Sequence, residues 1–171
     1  MNEANVTRRT LSVLVENAAG VLSQVSRLFS RKGYNIESLA VGVTDDPTIS
    51  RITIIVDSGN SVVEQVEKQL NKQIDVIKVK TLEVDTATRR ELLLIKIYAQ
   101  QQNRGEIIDI CSIMNAKIVD MSHTTLTIEM CDRPERVALM MEMLAPYGVA
   151  EVARTGMVAL QKGSEAIAVK R

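Results

Sequence analysis

The chain has 171 residues, enough for one ordinary domain or for two small ones of roughly 80 residues each. Lys plus Arg number 21 and Asp plus Glu number 21, so the formal net charge is zero. That balance argues against nucleic acid or an anionic membrane as the main partner, since both need a basic excess. A single histidine, His123, handicaps acid–base and metal chemistry. Three Tyr, one Phe and no Trp leave few platforms for stacked bases. With 46% apolar residues a real core is expected. Cys111 and Cys131 are too few for a disulfide framework and form no C-x-x-C pair, so both are expected to be buried or inert thiols. The opening MNEANVTRRT has no apolar segment, and no apolar run approaches the roughly 18 residues of a membrane span. The expected location is cytoplasmic.

In chain order, the apolar spacing switches between period 2 and a helical period. Residues 9–16 alternate, with Leu11, Val13 and Val15 on one face. Asn17-Ala18-Ala19-Gly20 breaks that strand. A helix follows over about 20–32, with the stripe Val21, Leu22, Val25, Leu28 and Phe29. Arg31 and Lys32 suit the negative end of its dipole, and Gly33 suits a left-handed cap. Strands are predicted over 34–44 and 50–57, separated by the turn Thr44-Asp45-Asp46-Pro47. Ser58-Gly59-Asn60 turns the chain. Ser61 and Glu64 form a capping-box pattern for a helix over 61–72, and a strand follows over 74–82.

After the polar stretch Asp85–Arg90 the pattern begins again. A strand is predicted over 91–98, then a helix near 103–115 and strands over 116–122 and 124–130. Asp132 can cap the next helix, with Pro134 in its first turn and Glu135 three residues on. Val137, Met140, Met141 and Leu144 form its stripe, and Gly148 lies past its end. A strand over 149–154 follows, and 157–161 forms an extra extended segment. The expected fold class is α+β: two tandem ferredoxin-like β-α-β-β-α-β units, with domains at 1–83 and 84–171. Helices then cover one face of each sheet. The other face carries Ser12, Leu14, Thr53 and Ile55 in the first unit and Leu92 and Leu94 in the second. These are too apolar for water, so pairing between chains, most simply in a two-fold dimer, is expected.

Little in the sequence carries catalysis. There is no phosphate loop, dinucleotide-binding glycine pattern, H-E-x-x-H or nucleophile elbow. His123 reads as a turn histidine. Asp45-Asp46 reads as part of a turn, because two adjacent carboxylates do not supply a hard cation's shell. The methionines at 140, 141 and 143 read as core or dimer contacts. The positive feature is the first strand-to-helix junction, Glu16 to Ser23. Its small residues let a backbone approach a ligand, and the N–H groups of the helix start suit a carboxylate. Asn17 and Asn35 offer side-chain amides, and Val21, Leu22 and Ile36 an apolar wall. A small aliphatic α-amino acid fits that mixture. An ordinary turn capped by asparagine fits it equally.

Residues 11–23, LSVLVENAAGVLS, resemble the opening of an ACT domain. Residues 31–39 (RKGYNIESL), 44–51 (TDDPTISR) and 151–156 (EVARTG) are more specific. They resemble the regulatory small subunit of acetolactate synthase, also called acetohydroxyacid synthase, and the likeness runs from about residue 8 to 163. The resemblance implies a non-catalytic chain with no cofactor of its own. Thiamine diphosphate, FAD and magnesium belong to a separate catalytic large subunit of branched-chain amino-acid biosynthesis. The small subunit activates that partner and confers feedback inhibition by valine. The resemblance places valine at an ACT dimer interface, with Asn17, Ala18, Ala19, Gly20, Val21 and Leu22 of one chain facing Asn35 and Ile36 of the other. Residues 99–105, AQQQNRG, do not repeat the loop in the second unit. A stand-alone ACT-type amino-acid sensor acting on another partner is the alternative, but it would need a DNA-binding unit or a basic patch. An enzyme built on the second unit's cleft would need a cluster of acids, bases or metal ligands.

Overall fold

The computed structural model of the chain describes residues 8–57 and 60–167. The first unit runs β1 (Arg8–Glu16), α1 (Val21–Lys32), β2 (Ile36–Val43), β3 (Ile49–Asp57), α2 (Asn60–Leu70) and β4 (Val76–Leu82). Its antiparallel sheet has the order β2-β3-β1-β4. The turn expected at Ser58-Gly59 and the capping role of the Ser61 side chain lie outside the described residues. In β1 and β3 the register sets Leu11 opposite Ile54 and Val13 opposite Ile52, all facing the helices. α1 lays Val21, Val25, Leu28 and Phe29 on them, and α2 adds Val63, Val66 and Leu70. Each such side chain contributes about 1.5–3 kcal/mol by leaving water. α1 stops at Gly33, whose φ of 68° is left-handed, and Arg31 and Lys32 occupy its last turn. The Tyr34 ring then meets Phe29 edge-on, 6.3 Å between centroids.

The second unit repeats the order with β5 (Ala87–Tyr98), α3 (Arg104–Met114), β6 (Lys117–Met121), β7 (Thr125–Asp132), α4 (Pro134–Leu144) and β8 (Val149–Arg154). The strand path is β6-β7-β5-β8. Leu93, Ile95, Ile97, Leu126 and Ile128 face Ile107, Cys111, Val137, Met140 and Leu144. α3 ends at Asn115, which takes the left-handed conformation at φ 56°. The fold is therefore two ferredoxin-like units in tandem.

Several local expectations are corrected. Arg133, not Asp132, is the N-cap of α4, and it makes no side-chain cap bond. The Asp132 carboxylate instead accepts the Arg133 N–H at 2.7 Å and pairs with Arg136 at 2.6 Å, while Glu135 pairs with Arg89. Two cationic neighbours outcompete the neutral N–H groups a capping box would serve. Cys111 is buried, and burial pushes its thiol pKa up; Cys131 is exposed on β7. Of the methionines expected as core or dimer contacts, Met140 is buried and Met141 packs against the second core, and Met143 is exposed on the single chain.

The larger correction concerns the outer face of the first sheet. Ser12, Leu14, Thr53 and Ile55 are all buried. The chain after Gly156 supplies part of the cover. Residues 157–167 group with residues 8–88, and 89–156 form the other compact unit, although a division in chain order assigns everything after 83 to the second. This strap contains β9 (Val158–Gln161). Ala159 and Ile167 build a small second core with Leu14, Leu82 and Ala87. Lys80 pairs with Glu165, the Met157 N–H donates to Ser38 Oγ, and the Lys162 N–H donates to the Thr86 carbonyl. Arg51 spans the face, donating to Ser12 Oγ and to the Ile167 carbonyl. Ile167→Ala should lower stability by about 2 kcal/mol, low in the range for large-to-small core changes, read as a drop in the urea unfolding midpoint.

Candidate functional site

The first strand-to-helix junction is held from below by its own asparagine. The Asn17 N–H donates to the Thr48 carbonyl at 2.7 Å, and Asn17 Nδ2 donates to the Pro47 carbonyl at 2.9 Å. Ser50 Oγ donates to Asn17 Oδ1 at 3.1 Å. The facing turn is braced in turn by Asp46, which accepts from the Thr48 N–H and hydroxyl. Asn17 therefore positions the loop, with the second proton of its amide and the second lone pair of its oxygen left for a ligand. The amide expected to be a ligand donor turns out first to be a brace. Ser50 and Pro47 are its partners, and both lie in the 44–51 segment without having been singled out.

The chain then turns through Ala18 and Ala19 to Gly20 at φ 91°, a left-handed conformation that most side chains avoid. Nothing lies within 4 Å of where a Gly20 Cβ would stand. α1 starts with no side-chain cap, so the Leu22 and Ser23 N–H groups face outward with the positive end of the helix dipole. Asn17, Ala18, Ala19, Gly20 and Leu22 are exposed. Val21 is not part of an outer wall, because its side chain is buried in the first core. Apolar surface comes instead from β2. Val43 stands opposite Ser50 in the register, on the same face as the Ser50–Asn17 bond, with Val41 two residues back. They are 58% and 48% exposed. Sequence alternation marks both as sheet-facing, but it does not reveal that an edge strand leaves them uncovered.

Asn35 is exposed and Ile36 half-buried, at the start of β2. Glu16 lies opposite Ile49 at one end of β3, and Ile36 lies opposite Val56 near the other. Seven residues of extended chain separate these rungs, about 23 Å at roughly 3.3 Å per residue. One chain therefore brings Asn17 through Leu22 together, and Asn35 with Ile36, but not the two groups.

The second unit has no counterpart. Its junction is filled by Arg104, whose Nη2 donates to the carbonyls of Ala99, Ser122 and His123 at 3.0, 2.9 and 2.8 Å. A guanidinium and three carbonyls stand where the first unit has open, small residues. Arg104 drew no notice in the sequence because a lone arginine in a polar loop has no pattern. His123 sits exposed in the β6–β7 turn. Among the described residues no group of three or more His, Cys, Asp or Glu could hold a metal ion, and no helix is long and apolar enough to cross a membrane.

A two-layer unit with an open helix-start loop, followed by a second two-layer unit whose junction Arg104 closes, has the architecture of an ACT-domain protein. Residues 11–78 match the family model described as the AHAS small subunit-like ACT domain, and 90–163 match the one described as the small subunit of acetolactate synthase. The chain belongs to the acetolactate synthase small-subunit family. It is 48% identical over 158 residues to the acetolactate synthase small subunit of Mycolicibacterium smegmatis, covering 92% of this chain and 93% of that one. It is 44% identical over 162 residues to the one from Mycobacterium leprae, covering 95% and 96%. The crystal structure of the small subunit from Thermotoga maritima superposes with a TM-score of 0.87 at 33% identity, over 94% of this chain and 100% of that one. Asn17→Ala should cost about 1–2 kcal/mol in urea unfolding, since the Ser50 hydroxyl and the Pro47 carbonyl each lose a partner.

Proposed function

We propose that this chain is the effector-sensing subunit of a cytoplasmic acetolactate synthase. It binds valine, or a related branched-chain amino acid, between the first units of a homodimer, and so adjusts the activity of a separate catalytic subunit. In this reading the chain turns over no substrate, and thiamine diphosphate, FAD and magnesium stay on the catalytic partner. The observation that carries the reading is the separation of Asn17 and Asn35 along one sheet whose edge is open. β2 is an edge strand with no charge from Ser38 to Val43 and no proline. Such an edge invites a second strand. Two β2 strands related by a two-fold axis run antiparallel, so the end of one lies beside the start of the other. That arrangement brings the Asn17–Leu22 loop of one chain to Asn35 and Ile36 of its partner.

The chemistry suits a zwitterion. The helix-start N–H groups take the carboxylate. The Asn35 amide oxygen takes the ammonium. Leu22, Val41, Val43 and Ile36 receive the aliphatic side chain. Valine, leucine and isoleucine differ in such a pocket by only about 1–3 kcal/mol. An effector that bridges two chains changes how they pair, and the catalytic partner then meets an altered surface. The coupling is reciprocal: whatever factor valine takes from productive partner binding, the partner takes from valine binding.

The deciding experiment is to mix the purified chain with a catalytic subunit, with and without valine. The chain alone should condense no pyruvate, addition should stimulate the catalytic subunit, and valine should reverse the stimulation. Turnover by this chain alone would refute the reading. In calorimetry, Gly20→Asp should weaken valine binding at least tenfold by setting a carboxylate where the ligand's lies. Aspartate tolerates the left-handed region better than most residues, and the space is open, so the fold should survive. Asn35→Ala should weaken binding about tenfold. Undiminished binding in both would sink the site. Val41→Lys, which puts a charge on the open edge, should shift micromolar samples from dimer towards monomer in sedimentation velocity.

A further inference from the structure

The second unit, residues 89–156, has eight Lys and Arg side chains against nine Asp and Glu, yet its cations are not spread evenly. Five of the eight, all arginine, gather at one end of the sheet: Arg89 and Arg90 at the start of β5, Arg133 and Arg136 at the start of α4, and Arg154 at the end of β8. The strand registers make this a single cluster. Glu91 is paired across the ladder with Asp132, and Leu93 with Arg154.

Three acids in the cluster are each taken. Glu91, only 5% exposed, receives the Arg154 fork at 2.7 and 2.8 Å. Glu135 holds Arg89 at 2.8 Å, and Asp132 holds Arg136 at 2.6 Å. Arg136 also donates to the Met114 carbonyl, which ties it to the end of α3. Arg90 and Arg133 are left over. Both are exposed, and among the described residues neither has a carboxylate partner. Arg90 merely folds onto the carbonyl of Arg89. Arg90 precedes Glu91 on β5 and Arg133 follows Asp132 as the N-cap of α4, so the two flank the Glu91–Asp132 rung. The cluster thus holds five arginines against three acids, a local cationic excess that suits an anionic partner. The Asp132 carboxyl feels this field. Partial burial works to raise its pKa, and the Arg133 N–H bond, Arg136 and Arg90 outweigh that and hold it below the usual range.

We infer that Arg90 and Arg133 form a docking point on the second unit for an acidic segment of the catalytic subunit, each arginine taking one carboxylate from it. The inference rests on the proposed role as a subunit of acetolactate synthase and adds to it the surface that grips the partner. Arginine suits the task, because its planar fork meets a carboxylate through two parallel hydrogen bonds. Nucleic acid fits poorly, since the unit as a whole carries one more acid than base and offers no basic field.

The test titrates full-length chain into a fixed amount of catalytic subunit and reads the concentration that gives half-maximal stimulation, at low and at high NaCl. The double variant Arg90→Glu/Arg133→Glu should raise that concentration at least tenfold at low salt, with a flatter salt dependence than wild type. Arg90→Gln/Arg133→Gln, which removes charge without reversing it, should fall between. Arg27→Glu/Lys72→Glu, with the same change of net charge on the first unit, should behave as wild type. Thermal melting confirms that each variant folds, and calorimetric valine binding should be unchanged. A folded double variant with the wild-type titration and salt slope overturns the inference while leaving the regulatory role intact. Wild type that never stimulates the catalytic subunit removes the role, and the docking point with it. Retention of wild type, but not of the double variant, by a short oligonucleotide at physiological salt would also overturn it, by assigning the pair to phosphates.

Discussion

A four-stranded sheet with both helices on one side cannot bury its other face, and it cannot satisfy the backbone groups along its edges. That constraint governs this protein. In the first unit the outer face is covered in part by the chain's own last segment, which returns after Gly156 to set Ala159 and Ile167 against Leu14 and Leu82. Polar groups under it are matched rather than avoided: Ser12 accepts from Arg51, which also reaches the Ile167 carbonyl. The β2 edge has no such cover. What the first unit leaves open is therefore an edge with its row of N–H and C=O groups, not the sheet face.

The same economy fits the proposed effector role to a chain with one histidine and four aromatic residues. The loop at Asn17–Gly20 needs no titrating group. It uses backbone N–H groups at an uncapped helix start, a glycine in a left-handed conformation and an asparagine already fixed by Ser50 and Pro47. In the proposed effector site, an asparagine fixed beforehand lowers the ordering cost of binding. In the second unit the equivalent place is occupied by Arg104, which ties the ends of two strands together. Duplication of the fold did not duplicate the loop's chemistry, because one long side chain closes the opening that small residues leave.

Much of the fold is legible in the sequence. Alternation and helical stripes locate the described strands and α-helices within two or three residues, except that β5 begins at Ala87 rather than near 91, and they give no sign of the short 3-10 helix Ala145–Tyr147. The stop at Gly33 and the turn at 44–47 also read directly, since local dihedral preferences decide them. The misses share one cause. Asp132 fits a cap pattern, but Arg133 and Arg136 claim it. Val21 fits a pocket wall by position, but the first core claims it. Each outcome depends on what stands across the sheet, which no local pattern contains.

The sequence by itself determined the two repeated units, their cores and the open helix-start loop, because these depend on side-chain period and on the conformational freedom of single residues. The small-subunit resemblance was legible there too, in three short segments. Tertiary structure alone decided that residues 157–167 belong with the first unit, that Asn17 and Asn35 lie at opposite ends of one sheet, and that Arg90 and Arg133 are the two of the five clustered arginines with no ion-pair partner among the described residues. These are matters of register and long-range pairing. They are fixed only when distant parts of the chain compete for the same face, edge or counter-charge.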